Sequence, residues 1–76
     1  EVRRILALKI AERLEGVTIH DLRMVQGPTH TNLVFDAVVP YGFGRTYDQV
    51  KEEIEAIVQE TWENYYAVIQ VEQSYI

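Results

Sequence analysis

The chain has 76 residues, a length that fits one small domain with a thin hydrophobic core. Twelve acidic side chains against seven basic ones give a net charge of -5, which disfavours binding to nucleic acid. The absence of cysteine excludes a disulfide framework and any thiolate metal site.

The first 15 residues predict an amphipathic helix, because apolar side chains recur at spacings of three and four. These apolar positions are Val2, Ile5, Leu6, Ile10 and Leu14. Gly16 is expected to end the helix in the left-handed conformation. No capping residue precedes this helix, so we expect the chain to be a piece of a longer protein.

Two strands and a turn are predicted next. Residues 17–25 are extended in character, residues 26–29 (QGPT) read as a turn, and residues 30–39 (HTNLVFDAVV) form a second strand closed by Pro40. Thr46 and Gln49 then have the spacing of a capping box, which predicts a second helix over residues 47–62. Residues 65–75 predict a third strand.

The element order α-β-β-α-β predicts an α+β fold of the abridged ferredoxin-like, or metallochaperone-like, type. This fold is a two-layer sandwich with a three-stranded mixed sheet, in which the first two strands form an antiparallel hairpin and the third is parallel to the second. Both helices lie on one face, so the other face, termed the helix-free face, is uncovered. The 47% hydrophobic content then favours a homodimer that covers it.

Strand alternation assigns side chains to the two faces. Residues expected against the helices are Val17, Ile19, Leu33, Phe35, Ala37, Ile69 and Val71. Residues expected on the helix-free face are His20, Asn32, Val34, Asp36, Val38, Val68, Gln70 and Glu72.

The stretch GVTIHDLRMVQGPTHTNLVFDAVVP, with IQVEQSYI as the last strand, resembles the cytoplasmic C-terminal domain of the cation diffusion facilitator transporters. The resemblance rests on the order and spacing of the Gly-Val opening, HDLR, the following Gly and the Phe-Asp pair, and it covers nearly the whole chain. It implies a homodimer that binds divalent metal between protomers and closes on binding. The full-length protein would be an integral membrane transporter, with this domain on the cytoplasmic side.

The resemblance also implies a ligand set. His20 matches the histidine ligand of the family's first strand, whereas the family's other ligand positions hold Phe35 and Gln70. The metal ligands that we predict are therefore His20, Asp36 and Glu72, with His30 as an additional candidate. Imidazole with carboxylates suits zinc, and manganese or iron are the alternatives.

Residue chemistry alone leaves simpler interpretations open. An exposed strand histidine is commonly a polar surface residue, a histidine beside a turn is commonly a loop residue, and isolated carboxylates commonly promote solubility. The chain offers neither an activated nucleophile nor a motif for an organic cofactor, so we expect no enzymatic activity. The competing hypotheses are a free-standing homodimeric module for ligand sensing or protein interaction, and a small ferredoxin-like enzyme.

Overall fold

The computed structural model of the chain describes residues 1–75 and contains two helices and three strands. In chain order these are α1 (Val2–Arg13), β1 (Thr18–Gln26), β2 (Thr31–Val39), α2 (Tyr47–Thr61) and β3 (Tyr65–Gln73). The predicted order and type of every element are confirmed, and most predicted ends differ from the observed ones by one or two residues.

The three strands form one mixed sheet in the order β1-β2-β3. The β1–β2 pair is an antiparallel hairpin, and the backbone N–H of Gly27 donates to the carbonyl of His30 at 2.8 Å within its turn. The β2–β3 pair is parallel, because α2 carries the chain back to the starting end of the sheet. This topology confirms the ferredoxin-like α+β fold class.

One hydrophobic core lies between the sheet and the two helices. Its helix side chains include Leu6 and Ile10 from α1 and Ile54 from α2, and each of these three is fully buried. Both helices therefore pack against the same face of the sheet.

The capping box at the start of α2 is present as predicted. The Thr46 hydroxyl accepts from the Gln49 N–H, and the Gln49 side chain accepts from the Thr46 N–H.

The prediction for α1 is wrong at Ile5, which is 39% exposed and lies outside the core. The buried side chains are Leu6, Ile10 and Leu14, which follow one another at intervals of four residues. Successive helix positions differ by about 100°, so a helix that buries this single line turns Ile5 towards water. Gly16 has φ +91, as its predicted left-handed conformation requires.

Arg13 connects the two helices at the protein surface. Its guanidinium donates to the Glu53 carboxylate at 2.9 Å and also pairs with Glu60. Hydrogen bonds to Glu53 and then Glu60 raise the pKa of Arg13 above its ordinary value. These ion pairs bridge the end of α1 and the exposed side of α2.

The helix-free face is confirmed, and the alternation of β2 shows it most clearly. Leu33, Phe35 and Ala37 are buried against the helices, whereas Val34 and Asp36 are only half-buried on the opposite side. The registers of the strand pairs extend this face to β1 and β3. The helix-free face comprises Thr18, His20, Arg23, Val25, Asn32, Val34, Asp36, Val38, Tyr66, Val68, Gln70 and Glu72.

Neither helix of the described chain has the length and hydrophobicity needed to cross a bilayer.

Candidate functional site

One row of side chains crosses all three strands on the helix-free face. His20 on β1 is directly opposite Asp36 on β2, and Asp36 is in turn the register partner of Gln70 on β3. Directly opposed residues of neighbouring strands have Cβ atoms about 4.5–5.5 Å apart. An imidazole, a carboxylate and a carboxamide are thus adjacent on a surface that water reaches.

A β-bulge in β1 follows His20 immediately. The register passes from His20 opposite Asp36 to Arg23 opposite Val34, so that Asp21 and Leu22 together face the single residue Phe35. Asp21 has φ +57, a conformation that aspartate tolerates better than most residues other than glycine. The bulge restarts the alternation of side chains, because Leu22 packs against the core and the next residue is exposed.

The His20 imidazole is oriented by a neighbour on its own strand. Its Nε2 lies 3.0 Å from the Thr18 hydroxyl, two residues away on the same face. When Nε2 carries the proton and donates to Thr18, the lone pair of Nδ1 is available to a metal ion. A hydrogen bond on the second ring nitrogen is the usual support of a metal-bound histidine.

Glu72 lies near this row but outside it. Its register partner on β2 is Val38, two residues beyond Asp36. Neighbouring strands lie about 4.8 Å apart and a strand rises about 3.3 Å per residue, so a neighbour displaced by two residues is about 8 Å away, within reach of the glutamate side chain. His20 is two strands away from Glu72, so one metal ion bound to all three would require a substantial rearrangement of side chains.

The structure separates His30 from the other predicted ligands. His30 precedes β2 and lies six residues from Asp36, which corresponds to about 20 Å along an extended strand. Its Nδ1 lies 3.1 Å from the Thr29 hydroxyl, and its ring contacts the Tyr66 ring edge-on with centroids 5.3 Å apart. His30 is therefore an exposed turn residue whose side chain contacts Thr29 and Tyr66.

The two positions at which the resemblance implies metal ligands that this sequence lacks have different locations. Phe35 is 2% exposed and points into the core, so no side chain at this position reaches the helix-free face. Gln70 is exposed and lies in the same row as His20 and Asp36. Its amide oxygen is a weak ligand beside the stronger imidazole and carboxylate donors.

Within residues 1–75, no group of three or more histidine, cysteine, aspartate or glutamate side chains is arranged to hold a metal ion. The row supplies two strong donors, His20 and Asp36, and a structural zinc site normally has four ligands. A two-fold axis beside the row would bring two such pairs together. The row by itself therefore supplies only half of a four-ligand site.

Sequence reasoning did not assign a role to Thr18 or Arg23. Both lie on the helix-free face, and Arg23 reaches it only because of the bulge at Asp21. The available signal was the spacing of Ile19 and Leu22, which are three residues apart and both face the core. Strict alternation cannot place both on one face, so their spacing indicates an extra residue between them.

Comparisons with known proteins agree with this architecture. No family model and no curated protein matches the chain. A solved structure that concerns the mode of action of a candidate zinc transporter, CzrB, matches with a TM-score of 0.74 and 20% sequence identity. The match covers 93% of this chain and 90% of the CzrB chain. The two proteins share one fold.

Proposed function

We propose that the chain is the cytoplasmic, metal-responsive dimerisation domain of a divalent-cation efflux transporter of the cation diffusion facilitator family. In this role, metal binds between two protomers and favours their closure. Zinc is the preferred ion, with manganese and iron as alternatives. The domain's partners are a second copy of itself and the membrane domain of the same polypeptide.

The observation that carries the proposal is the direct pairing of His20 with Asp36 on the helix-free face. Imidazole and carboxylate are donors that zinc, manganese and ferrous iron all accept. The pair lies on a surface that is accessible to a second protomer, on a fold that this chain shares with CzrB.

The apolar residues around the row support dimerisation through this face. Val68 is 50% exposed and Val25 is 54% exposed, and the side chains of Val34 and Val38 are half-buried beside them. Apolar side chains grouped on one exposed surface favour contact with another protein surface. Two-fold association would cover them and would also bring two His20–Asp36 pairs together.

Metal binding is tested by zinc and manganese calorimetry on the wild-type domain and two single variants. His20→Ala is expected to weaken zinc binding at least about tenfold, because the imidazole is the strongest donor of the row. His30→Ala is the matched control, because it also removes one histidine but leaves the row intact. Sedimentation in the same samples measures whether zinc shifts the protein towards dimer.

Two results would contradict the proposal. One is equal zinc affinity for the wild type and His20→Ala. The other is a dimer whose dissociation constant and sedimentation coefficient are both unchanged by zinc at saturating concentration.

The alternative function is a free-standing homodimeric module without a metal role. It is favoured by the fact that no group of three potential ligands exists within the protomer, as far as residues 1–75 describe it. Such a module would dimerise through the same face, and its dimerisation would be unaffected by metal or by chelators. The calorimetry and sedimentation experiments above therefore distinguish the two functions.

A further inference from the structure

Arg23 is a cation on the helix-free face that the proposed metal site does not use. It lies directly opposite Val34 and is exposed. It occupies this face because the bulge at Asp21 turns Leu22 towards the core. Without the extra residue, a strand that runs from His20 in strict alternation would direct Arg23 towards the helices.

Arg23 and two carboxylates on the same face, Asp36 and Glu72, have no ion-pair partner among residues 1–75. The ion pairs found within residues 1–75 all involve Arg13, so Arg23, Asp36 and Glu72 make none. Arg23 and Asp36 nevertheless line one shallow groove of about 430 Å³, together with Asp21 and Val34. This groove therefore presents a guanidinium and carboxylates whose charges are not paired with one another.

A two-fold contact through this face gives these charges partners. Each protomer contributes one Arg23 and one Asp36. Arg23 of each protomer can therefore pair with Asp36 of the other, and the two-fold contact contains this ion pair twice. Without a counter-ion, the same contact would bring the Asp36 and Glu72 carboxylates of both copies together and would be opposed by their repulsion. Arginine suits this role because its guanidinium forms bidentate hydrogen bonds with a carboxylate.

We propose that Arg23 of each protomer pairs with Asp36 of the other in the metal-free dimer and thereby competes with divalent metal for that carboxylate. This inference rests on the proposed dimerisation through the helix-free face. It adds a regulatory element to the site: Arg23 stabilises the metal-free dimer, and metal takes the place of Arg23 at Asp36 when it binds. The bulge at Asp21 is then the backbone feature that places the competing cation on this face.

The pairing is tested by complementation between two charge-reversed variants in a metal chelator at low salt. Arg23→Glu alone and Asp36→Arg alone each place like charges opposite one another and should dimerise at least about tenfold more weakly than wild type. An equimolar mixture should recover dimers, because a mixed dimer contains opposite charges at both contacts. If Arg23 paired with Asp36 of its own protomer, mixing the two variants would not restore the ion pair. Recovery in the mixture therefore distinguishes a pair between protomers from a pair within one protomer.

Matched controls remove the effect of net charge. Arg45→Glu and Glu55→Arg make the same charge changes at exposed positions outside the helix-free face, in the loop before α2 and on α2. They should dimerise as wild type does. Single variants that dimerise normally would overturn the proposal, as would a mixture that associates no better than its components.

Competition with metal is tested separately by zinc calorimetry on Arg23→Gln, which removes the charge and keeps most of the side chain. Zinc affinity should rise at least about fivefold, because zinc no longer has to displace a guanidinium from the Asp36 carboxylate. Unchanged or weaker zinc binding would overturn the competition. If wild type and Arg23→Gln both fail to bind zinc, the proposed metal function is wrong, and the chelator experiment still decides whether Arg23 pairs across the dimer.

Discussion

His20 on β1 and Asp36 on β2 are directly opposed on the face of the sheet that carries no helix. Gln70 is the next residue in the same row, on β3. The row thus contains two strong metal donors followed by one weak donor, and its third position can be strengthened by a single substitution.

Gln70→His is expected to raise zinc affinity at least about tenfold, because it adds an imidazole beside His20 and Asp36. Phe35→His is the informative comparison, since residue 35 is the other position at which the sequence resemblance implies a ligand, but it is buried in the core. It should leave zinc affinity unimproved and lower the free energy of unfolding by about 3 kcal/mol or more. Calorimetry and urea unfolding measure the two effects. A gain in zinc affinity for Phe35→His would show that the face assignment of β2 is wrong.

Metal affinity should fall as the pH is lowered from 7.5 to 5.5. Histidine side chains ordinarily titrate near pH 6.5, and only the neutral imidazole binds metal, so protons compete with zinc below that value. Calorimetry at both pH values measures this difference. Affinity that is equal at the two pH values would exclude a histidine ligand.

Asp36→Asn should weaken zinc binding more than Glu72→Gln, because Asp36 is opposite His20 and Glu72 is displaced from the row. Zinc calorimetry at pH 7.5 compares the affinities of the two variants.

Val68→Asp is expected to weaken dimerisation at least about tenfold, because it places a carboxylate among the apolar residues of the helix-free face. Leu8→Asp is the matched control: Leu8 is 59% exposed on α1, compared with 50% for Val68, and it lies on the opposite layer of the fold. Both variants should keep nearly the thermal stability of the wild type, since neither position belongs to the core. Sedimentation equilibrium measures the dissociation constants. Equal weakening by both substitutions would place the interface elsewhere.

Asp21→Val should lower the free energy of unfolding by about 1–3 kcal/mol, because a β-branched residue at φ +57 is strained. Asp21→Gly should remain near wild type, since glycine adopts this conformation without steric cost. Urea denaturation of the two variants isolates the backbone effect from the loss of the carboxylate, which both share. Similar stability of the two variants would mean that the bulge imposes no conformational demand at residue 21.

Several features of the fold could be predicted from local patterns alone. The β2 sequence alternates between apolar and mixed positions, so Phe35 had to face the core if Asp36 faced away from it. The Thr46–Gln49 spacing located the start of α2 because a capping box is a contact between residues three positions apart. Such features depend only on neighbours in the sequence, which the chain specifies directly.

The tertiary structure decided which of these residues meet. Ile5 is exposed because α1 buries only the line through Leu6, Ile10 and Leu14, and the breadth of a helix contact depends on the elements packed beside it. The opposition of His20 and Asp36 depends on the register of the hairpin, whereas the position of Arg23 depends on the bulge at Asp21. A strand pairs with residues distant in the sequence, and an inserted residue exchanges its two faces. The sequence by itself therefore determined the elements, the two faces of β2 and β3 and the candidate ligands. The packing of strand against strand decided that His20 and Asp36 are neighbours and that His30 is not.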